Sequence, residues 1–430
     1  MKGDPTTMGK SITGILEIQG WWKITQVKEE KNQLHLYLLN LRKSADCPRC
    51  GKRTKTGYDT QPVRTILHTT IGSRLVFLHI APRRFICSCV PDKPFREKLP
   101  GVSGARSTTE RFDTELIQHL SGQAFSTVTG KLGLTYPSQR LRLTEAVDPL
   151  VPRWDLVSSL TEIHLGLDGH HVFNRRFVET ITEVKQGIPL GILPNNRKLT
   201  IKAVLSSCPE EFKIRIKTAT VDMDDGTIAA IRDVFPQALI VIDHFHVIQD
   251  ANRRLDEARR IEQEAINFER GKQGKGKIEI PGQLMRKARE HLTPQETIRL
   301  AALLSRYPRL KVWYEYKERV REIYTSKDRQ GAAERLHFLI CLMQVSDDAE
   351  LLLWGRNLKY YREEILNYFA YRTTNAYTEG LNVRCKLVQR ISSGFRNVDV
   401  YIRKAMLVLL PLSVAVTGSV YINKYPLPLS

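Results

Sequence analysis

Apolar residues recur along this 430-residue chain at two different periods, and the change of period divides it. In the first quarter they alternate or run continuously over short stretches: LHLYLL at 34–39, RLVFLHIA at 74–81 and RRFIC at 83–87. Short runs rich in β-branched and aromatic residues predict strands. The Pro/Gly/Ser-rich stretch 100–107 reads as a linker. Thr108 or Thr109 can cap a helix over Glu110–Leu120; a second helix over Ala124–Leu132, a break at Gly133 and a third helix carrying Arg140 and Arg142 then predict a helix-turn-helix. From Ile163 strands return, at 165–168, 172–184, 187–193, 201–205, 218–221 and 238–243, with a helix at 227–236 between the last two. Strands followed by a strand–helix–strand unit predict an α/β sheet. From His246 to about Phe369 the pattern turns helical and highly charged, interrupted by a basic Gly-rich loop at 271–277, and a final α/β-like segment is expected over 370–417.

Composition narrows the class. The chain is 42% hydrophobic and 26% charged, which excludes a disordered or fibrous protein, and its length predicts several domains. The formal net charge is +20, and residues 1–109 hold 19 Lys/Arg against 8 Asp/Glu, so more than half the excess lies there. Such an excess predicts a polyanionic partner, most often nucleic acid. The start, MKGDPTTMGK, has no sustained apolar segment, so no secretory signal is expected. Ala405–Ile422 is uncharged and mostly apolar, but Pro411, Ser413, Thr417, Gly418 and Ser419 interrupt it. It reads as a buried helix with an extended tail, and no membrane partner is expected.

Seven cysteines, four of them clustered, point to metal rather than disulfides. Cys47-Pro-Arg-Cys50-Gly is a C-x2-C knuckle, and Cys87 and Cys89 follow as a tighter C-x-C pair. Two thiolate pairs on hairpin-like turns supply four soft ligands for a structural Zn2+, with His68 or His79 as substitutes should Cys89 point away.

Three carboxylates stand out by context: Asp168 at the end of the LGL strand, Asp222 after the strand at 218–221, and Glu379 where a helix begins in TNAYTEGLN. Acids at strand ends and a helix start can meet at one sheet edge, where they can hold two Mg2+ ions (or Mn2+) for phosphodiester chemistry. Asp243-His-Phe-His246, after another buried strand, adds a carboxylate and a histidine three apart, able to bind metal or to brace the site. Downstream of Glu379, Arg384, Lys386, Arg390 and Arg396 place positive charge where a phosphate would lie.

These stretches resemble the bacterial insertion-sequence DDE transposases of the ISL3 group. The matching segments are CPRCG with RRFICSC, LGLDG, VDMDDGTIAAIRDVFPQALIVIDHFHVI, NRRLDEARR, and TNAYTEGLNVRCKLVQRISSGFRN, in the family's order and over most of the chain. The resemblance implies an α/β RNase H-like catalytic domain with a large all-α insertion, preceded by a zinc ribbon and a helix-turn-helix. The implied divisions are a zinc-ribbon domain at 1–100, a helix-turn-helix domain at 101–160, the first catalytic part at 161–246, the insertion at 247–370, and the second catalytic part with the C-terminal tail at 371–430. Asp168 corresponds to the first catalytic Asp, Asp222 to the second and Glu379 to the Glu of an E-G-x-N motif, with Asp243 and His246 as supporting residues. Between Asp222 and Asp243 as second ligand, family position favours Asp222, with Asp224 and Asp225 as further candidates. Three departures mark this chain: the C-x-C pair, Gly-His-His after Asp168, and Asp224 where Ser is usual.

The implied activity is Mg2+-dependent hydrolysis at the transposon end, freeing a 3′-OH that attacks target DNA without a covalent protein intermediate. The implied partner is double-stranded DNA, both transposon ends and target. The ribbon and the helix-turn-helix with Arg140 and Arg142 would read the terminal inverted repeats. Two ends must be brought together, so a homodimer or larger assembly on DNA is expected. In relatives an aromatic of the insertion stacks on a flipped base, which makes Trp313 a candidate DNA contact. A cytoplasmic, nucleoid-associated bacterial protein is expected. The rival reading is a catalytically inactive, domesticated transposase acting as a sequence-specific DNA-binding regulator.

Overall fold

The computed structural model describes residues 22–99, 106–147 and 152–410, together with Leu16, Ile18, Gly101 and Val102. Pro100 and residues 103–105 of the expected linker, and the tail from 411, lie outside the described residues. The chain divides into two compact units, residues 1–148 with 388–430, and residues 149–387.

In the first unit, β1 (Trp22–Glu30), β2 (Gln33–Asn40), β6 (Arg64–Ile71) and β7 (Arg74–Ile80) form a four-stranded sheet in the order β1-β2-β7-β6. Strands β2 and β7 run parallel and the other pairs antiparallel. Alternation explains the layering: Leu36 and Leu38 of β2 and Val76, Leu78 and Ile80 of β7 point inward and pack with Trp22 and Ile66. Beside this sheet lie the small pair β3 (Ala45–Asp46) and β4 (Arg53–Thr54) and a three-stranded antiparallel sheet of β5 (Gly57–Thr60), β8 (Arg83–Cys87) and β9 (Val90–Arg96). Their buried cluster consists of Cys47, Phe85, Cys87 and Phe95. A core this small does not hold a fold by apolar burial alone.

Three helices follow. Helix α1 (Glu110–Gly122) is capped by Thr109, whose hydroxyl accepts from the Phe112 amide. Helix α2 (Phe125–Leu132) ends at Gly133 in the left-handed conformation, and after Leu134 and Thr135 helix α3 (Tyr136–Ala146) begins with Pro137 in its first turn. The fully buried Gln139 ties the turn together, its amide donating to Thr129 Oγ1 at 2.7 Å and to the Leu134 carbonyl at 2.8 Å.

In the second unit, β10 (Ile163–His171), β11 (Phe177–Glu183), β12 (Ile188–Leu193), β13 (Ile216–Val221) and β14 (Leu239–Ile242) form a sheet in the order β12-β11-β10-β13-β14. The first three are antiparallel; β10, β13 and β14 are parallel. The sheet is buried on both faces, which is why these strands read as near-continuous apolar runs. Residues 201–205, expected as a strand, lie in helix α4 (Lys198–Ser206): Ile201 and Leu205 are one helical turn apart and both bury inward. Helix α5 (Asp225–Val234) connects β13 to β14.

An almost wholly helical segment follows, with α6 (His244–Lys272), α7 (Pro294–Arg306), α8 (Pro308–Ile323), α9 (Arg329–Gln344) and α10 (Ala349–Tyr360). Helix α7 opens on a capping box, Thr293 with Glu296, followed by Pro294 in its first turn. The segment 370–417, expected as α/β-like, is helical over its described part, as α11 (Ala376–Ile391) and α12 (Val398–Leu409). Residues from Val388 group with the first unit rather than with the sheet of the second. There Lys404, 1% exposed, donates to the Gln123 carbonyl at 2.6 Å and lies over the Phe125 ring. No described helix is long and apolar enough to cross a membrane.

Candidate functional site

Among the described residues two clusters of ligand-type side chains form, one in each unit. In the first, the Cys47 and Cys89 sulfurs are 3.7 Å apart and those of Cys50 and Cys87 3.6 Å apart, and all four lie within 4.8 Å of one another. The edge of a ZnS4 tetrahedron, for Zn–S bonds of about 2.3 Å, is about 3.8 Å. The knuckle is made by the Gly51 amide donating to the Cys47 carbonyl at 2.9 Å, with Gly51 at φ +73°, a conformation that favours glycine. Although burial opposes it, the amides of Arg49 and Cys50 pull the Cys47 thiol down to about 6, toward the thiolate a metal needs. The donor set fits a structural zinc, and the C-x-C spacing of the second pair is no obstacle. The histidines considered as substitutes are otherwise engaged. His68 is buried between Thr109 Oγ1 and the Leu16 carbonyl, and His79 contacts His35 on the outer side of the four-stranded sheet.

The second cluster gathers groups from four separate segments. Asp168 sits on β10, opposite Thr180 of β11. Asp222 directly follows β13; Asp243 directly follows β14 and caps α6; His246 lies in the first turn of α6; Glu379 lies in the first turn of α11. Ligand atoms of Asp168, Asp222 and His246 lie within 4.8 Å of one another, and so do those of Asp243, His246 and Glu379. His246 is shared by both sets: its Nδ1 is 2.6 Å from Asp222 Oδ1 and 3.9 Å from Asp243 Oδ2, and its Nε2 is 4.0 Å from Glu379 Oε1.

Burial, with the Asp222 carboxylate next, pushes Asp168 up to about 6. Burial works against charge on His246, yet Asp222, Asp168 and Asp243 together push it up to about 9. Glu379 is raised by burial and by Asp243. Asp243 behaves differently. Burial would raise it, but His244 and the amides of Asn375 and Phe245 hold it below the usual carboxylate range. It is 1% exposed, accepting from the Asn375 amide at 3.1 Å and the Phe245 amide at 3.3 Å, whereas the Asp222 side chain is 43% exposed. Asp224 and Asp225 have structural partners: Asp224 caps α5 by accepting from the Thr227 amide at 2.8 Å, and Asp225 accepts from the Tyr361 hydroxyl at 2.9 Å.

Two further residues belong to this cluster, Glu179 and Asn382. Glu179, on β11, is 5% exposed and held well above the usual carboxylate range by burial and by Asp222, Asp168 and Asp224. An acid inside the strand FVETITE was the available signal. Asn382, one turn beyond Glu379, donates to Asp168 Oδ2 at 2.8 Å.

The basic residues fall into two groups. Arg384, Lys386, Arg390 and Arg396 are exposed, and Glu379, Asn382, Lys386 and Arg390 share one helical face by their spacing of three, four and four. Lys386 acts on His170, two residues beyond Asp168, which burial and this lysine push down to about 4. Arg140 is exposed on α3. Arg142 is not available in the same way: it is half-buried, bonded to Asp113 at 2.9 Å and Thr108 Oγ1 at 3.1 Å, so it holds α3 to the start of α1. Trp313, expected against a flipped base, is 3% exposed, stacked on Trp354 at 5.8 Å with its Nε1 donating to Asp348 at 3.1 Å. That is a core position.

Comparison with known proteins places the chain among transposases. A family model for ISL3 transposases, described as a transposase, matches residues 165–405, more than half of the chain. A second, described as the zinc-finger of transposases IS204/IS1001/IS1096/IS1165, matches residues 43–89. The transposase for insertion sequence element IS1001 of Bordetella parapertussis is 23% identical over 400 residues, covering 91% of this chain and 96% of that protein. The transposase for insertion sequence element IS1557 of Mycobacterium tuberculosis is 24% identical over 259 residues, covering 56% of this chain and 57% of that protein. Among solved structures, a chain of the Drosophila P element transposase strand transfer complex aligns with 73% of this chain and 94% of its own length, at 11% identity and a TM-score of 0.39.

Proposed function

Because the chain belongs to the ISL3 family of transposases, we propose that it binds the terminal inverted repeats of its insertion sequence, cuts the DNA there and joins the freed 3′ end to target DNA. The observation that carries this reading is the convergence of Asp168, Asp222 and Glu379 around His246 from four separate segments. The strand order β12-β11-β10-β13-β14, antiparallel then parallel, supports an RNase H-like catalytic core with the helical segment inserted after β14.

Asp168, Asp222 and Glu379 are the groups that would hold Mg2+ or Mn2+, which when bound activates the attacking oxygen and stabilises the leaving one. Exposure supports Asp222 over Asp243 as the second ligand, since Asp243 already accepts from two amides and fixes the start of α6. In the first reaction water attacks the scissile phosphorus, the bond from phosphorus to O3′ breaks, and the 3′ oxygen ends as a hydroxyl. In the second that hydroxyl attacks a target phosphorus and displaces the target O3′. His246 steadies the Asp222 carboxylate. Lys386 and Arg390, on the Glu379 face of α11, would contact the flanking phosphates.

In the first unit the zinc ribbon and the α2–α3 pair, read as a helix-turn-helix with Arg140 on its second helix, would read the repeats. Two such ends must meet, so the active species is a homodimer or larger on DNA, in a bacterial cytoplasm. The test is a cleavage and joining assay with Mg2+, comparing labelled duplexes that carry the element's own ends with scrambled duplexes. The expected result is nicked and joined product from the native ends alone. Tight binding of the ends without cutting, in Mg2+ or Mn2+, would overturn the enzymatic reading.

A further inference from the structure

Asp168 does not stand alone on its strand. Asn382 is 3% exposed and faces it, with Nδ2 at 2.8 Å from Asp168 Oδ2 and 3.3 Å from the Asp168 carbonyl. The Asp168 carbonyl and carboxylate oxygens can only accept, so the NH2 group of Asn382 must face them, and its Oδ1 then accepts from the Thr180 hydroxyl at 2.6 Å. Thr180 is the residue opposite Asp168 across the β10–β11 pair. The three side chains therefore form a closed chain from β11 through α11 to β10. Asn382 also lies three residues beyond Glu379, so one helix carries both the third carboxylate and the group that grips the first.

We propose that Asn382 is a positioning residue for Asp168. It holds one carboxylate oxygen by hydrogen bonding and leaves Oδ1 for a cation, with the Thr180 hydroxyl anchoring the other end of the amide. This inference rests on the proposed function, since it concerns how Asp168 meets the metal. A carboxylate held in one rotamer loses no further freedom when it binds, and outer partners of ligands are typically worth about 10–100-fold in metal affinity.

The experiment is Mn2+ titration of the full-length chain by calorimetry, paired with the Mn2+ concentration that half-saturates end cleavage and with thermal melts to confirm folding. Asn382→Ala is expected to weaken Mn2+ binding and to raise the half-saturating concentration by about 10-fold or more. Thr180→Val, which removes the donor that anchors Asn382 Oδ1, is expected to move both in the same direction by less. Thr180→Ser, which keeps the hydroxyl, is expected to match wild type, a pattern that a packing role would not give. If wild type binds Mn2+ and folded Asn382→Ala binds it equally well, the positioning role is overturned and the proposed function stands. If wild type takes up no Mn2+ and cuts nothing, both fall together.

Discussion

Asp168 and His246 both hold their protons more tightly in the folded chain than in a free peptide, and the sign of that effect is testable. For Asp168, pushed up to about 6, the unfolded chain ionises from about pH 4 while the folded chain stays protonated. Its contribution to stability therefore falls as pH rises from about 4 to 6. For His246, pushed up to about 9, the contribution is complete below about pH 6.5 and is lost as pH rises through 9. Melts in EDTA should show Asp168→Asn gaining on wild type across the lower window and His246→Gln losing its deficit across the upper one. Parallel pH profiles for all three proteins would refute the assignment of these shifts to the site. Trp313 gives a second prediction at this scale. Trp313→Phe removes the bond to Asp348 and should cost about 1–2 kcal/mol of stability, with the cleavage rate per folded molecule unchanged. A loss of cleavage without a loss of stability would return Trp313 to the DNA interface.

At the scale of elements, the ribbon and the α11 seam are the parts whose structure depends on few contacts. The ribbon core is Cys47, Phe85, Cys87 and Phe95, so the four sulfurs should hold it through zinc. Cys50→Ser, or a strong chelator, should expose the amides of β8 and β9 to hydrogen exchange while leaving those of β10 and β13 protected. Equal protection with and without chelator would exclude a structural metal. In the second unit, the start of α11 approaches β10 over Gly166. A Cβ there would lie 2.3 Å from Val184 Cγ1, 2.6 Å from Asn375 Oδ1 and 2.8 Å from Thr378 Oγ1. Gly166→Ala should thus displace the Asn375–Thr378 turn that leads to Glu379, lowering cleavage at least 10-fold and stability by about 1–3 kcal/mol. Unchanged cleavage would mean that the seam does not position Glu379.

The same elements explain what the sequence disclosed. The cysteines, the strands 83–87, 218–221 and 239–242, and the positions of the three acids at element ends were readable because each stands at a fixed place in a local pattern. Residues 201–205 misled because an isolated apolar run of five fits a strand or one helical turn equally well. Glu179 and Asn382 were hidden for a different reason. Their importance comes from the pairing of β10 with β11 and the docking of α11, contacts between residues up to 214 positions apart, which no local period encodes.

For the whole molecule, the charge of +20 suits the binding of DNA. The family assignment accounts for both clusters with one activity: a zinc-held ribbon in the unit that would read DNA, and a carboxylate cluster in the unit that would cut it. The most direct measurement is metal-specificity rescue of cleavage in cysteine variants. In Mg2+, which binds sulfur poorly, Asp168→Cys, Asp222→Cys and Glu379→Cys should not cut native-end DNA; in Mn2+, which accepts sulfur more readily, each should recover a measurable part of wild-type cleavage. Asp243→Cys should be impaired in both ions alike. Rescue of Asp243→Cys in place of Asp222→Cys, or no rescue at any of the three acids, would contradict the account of which residues hold the metal.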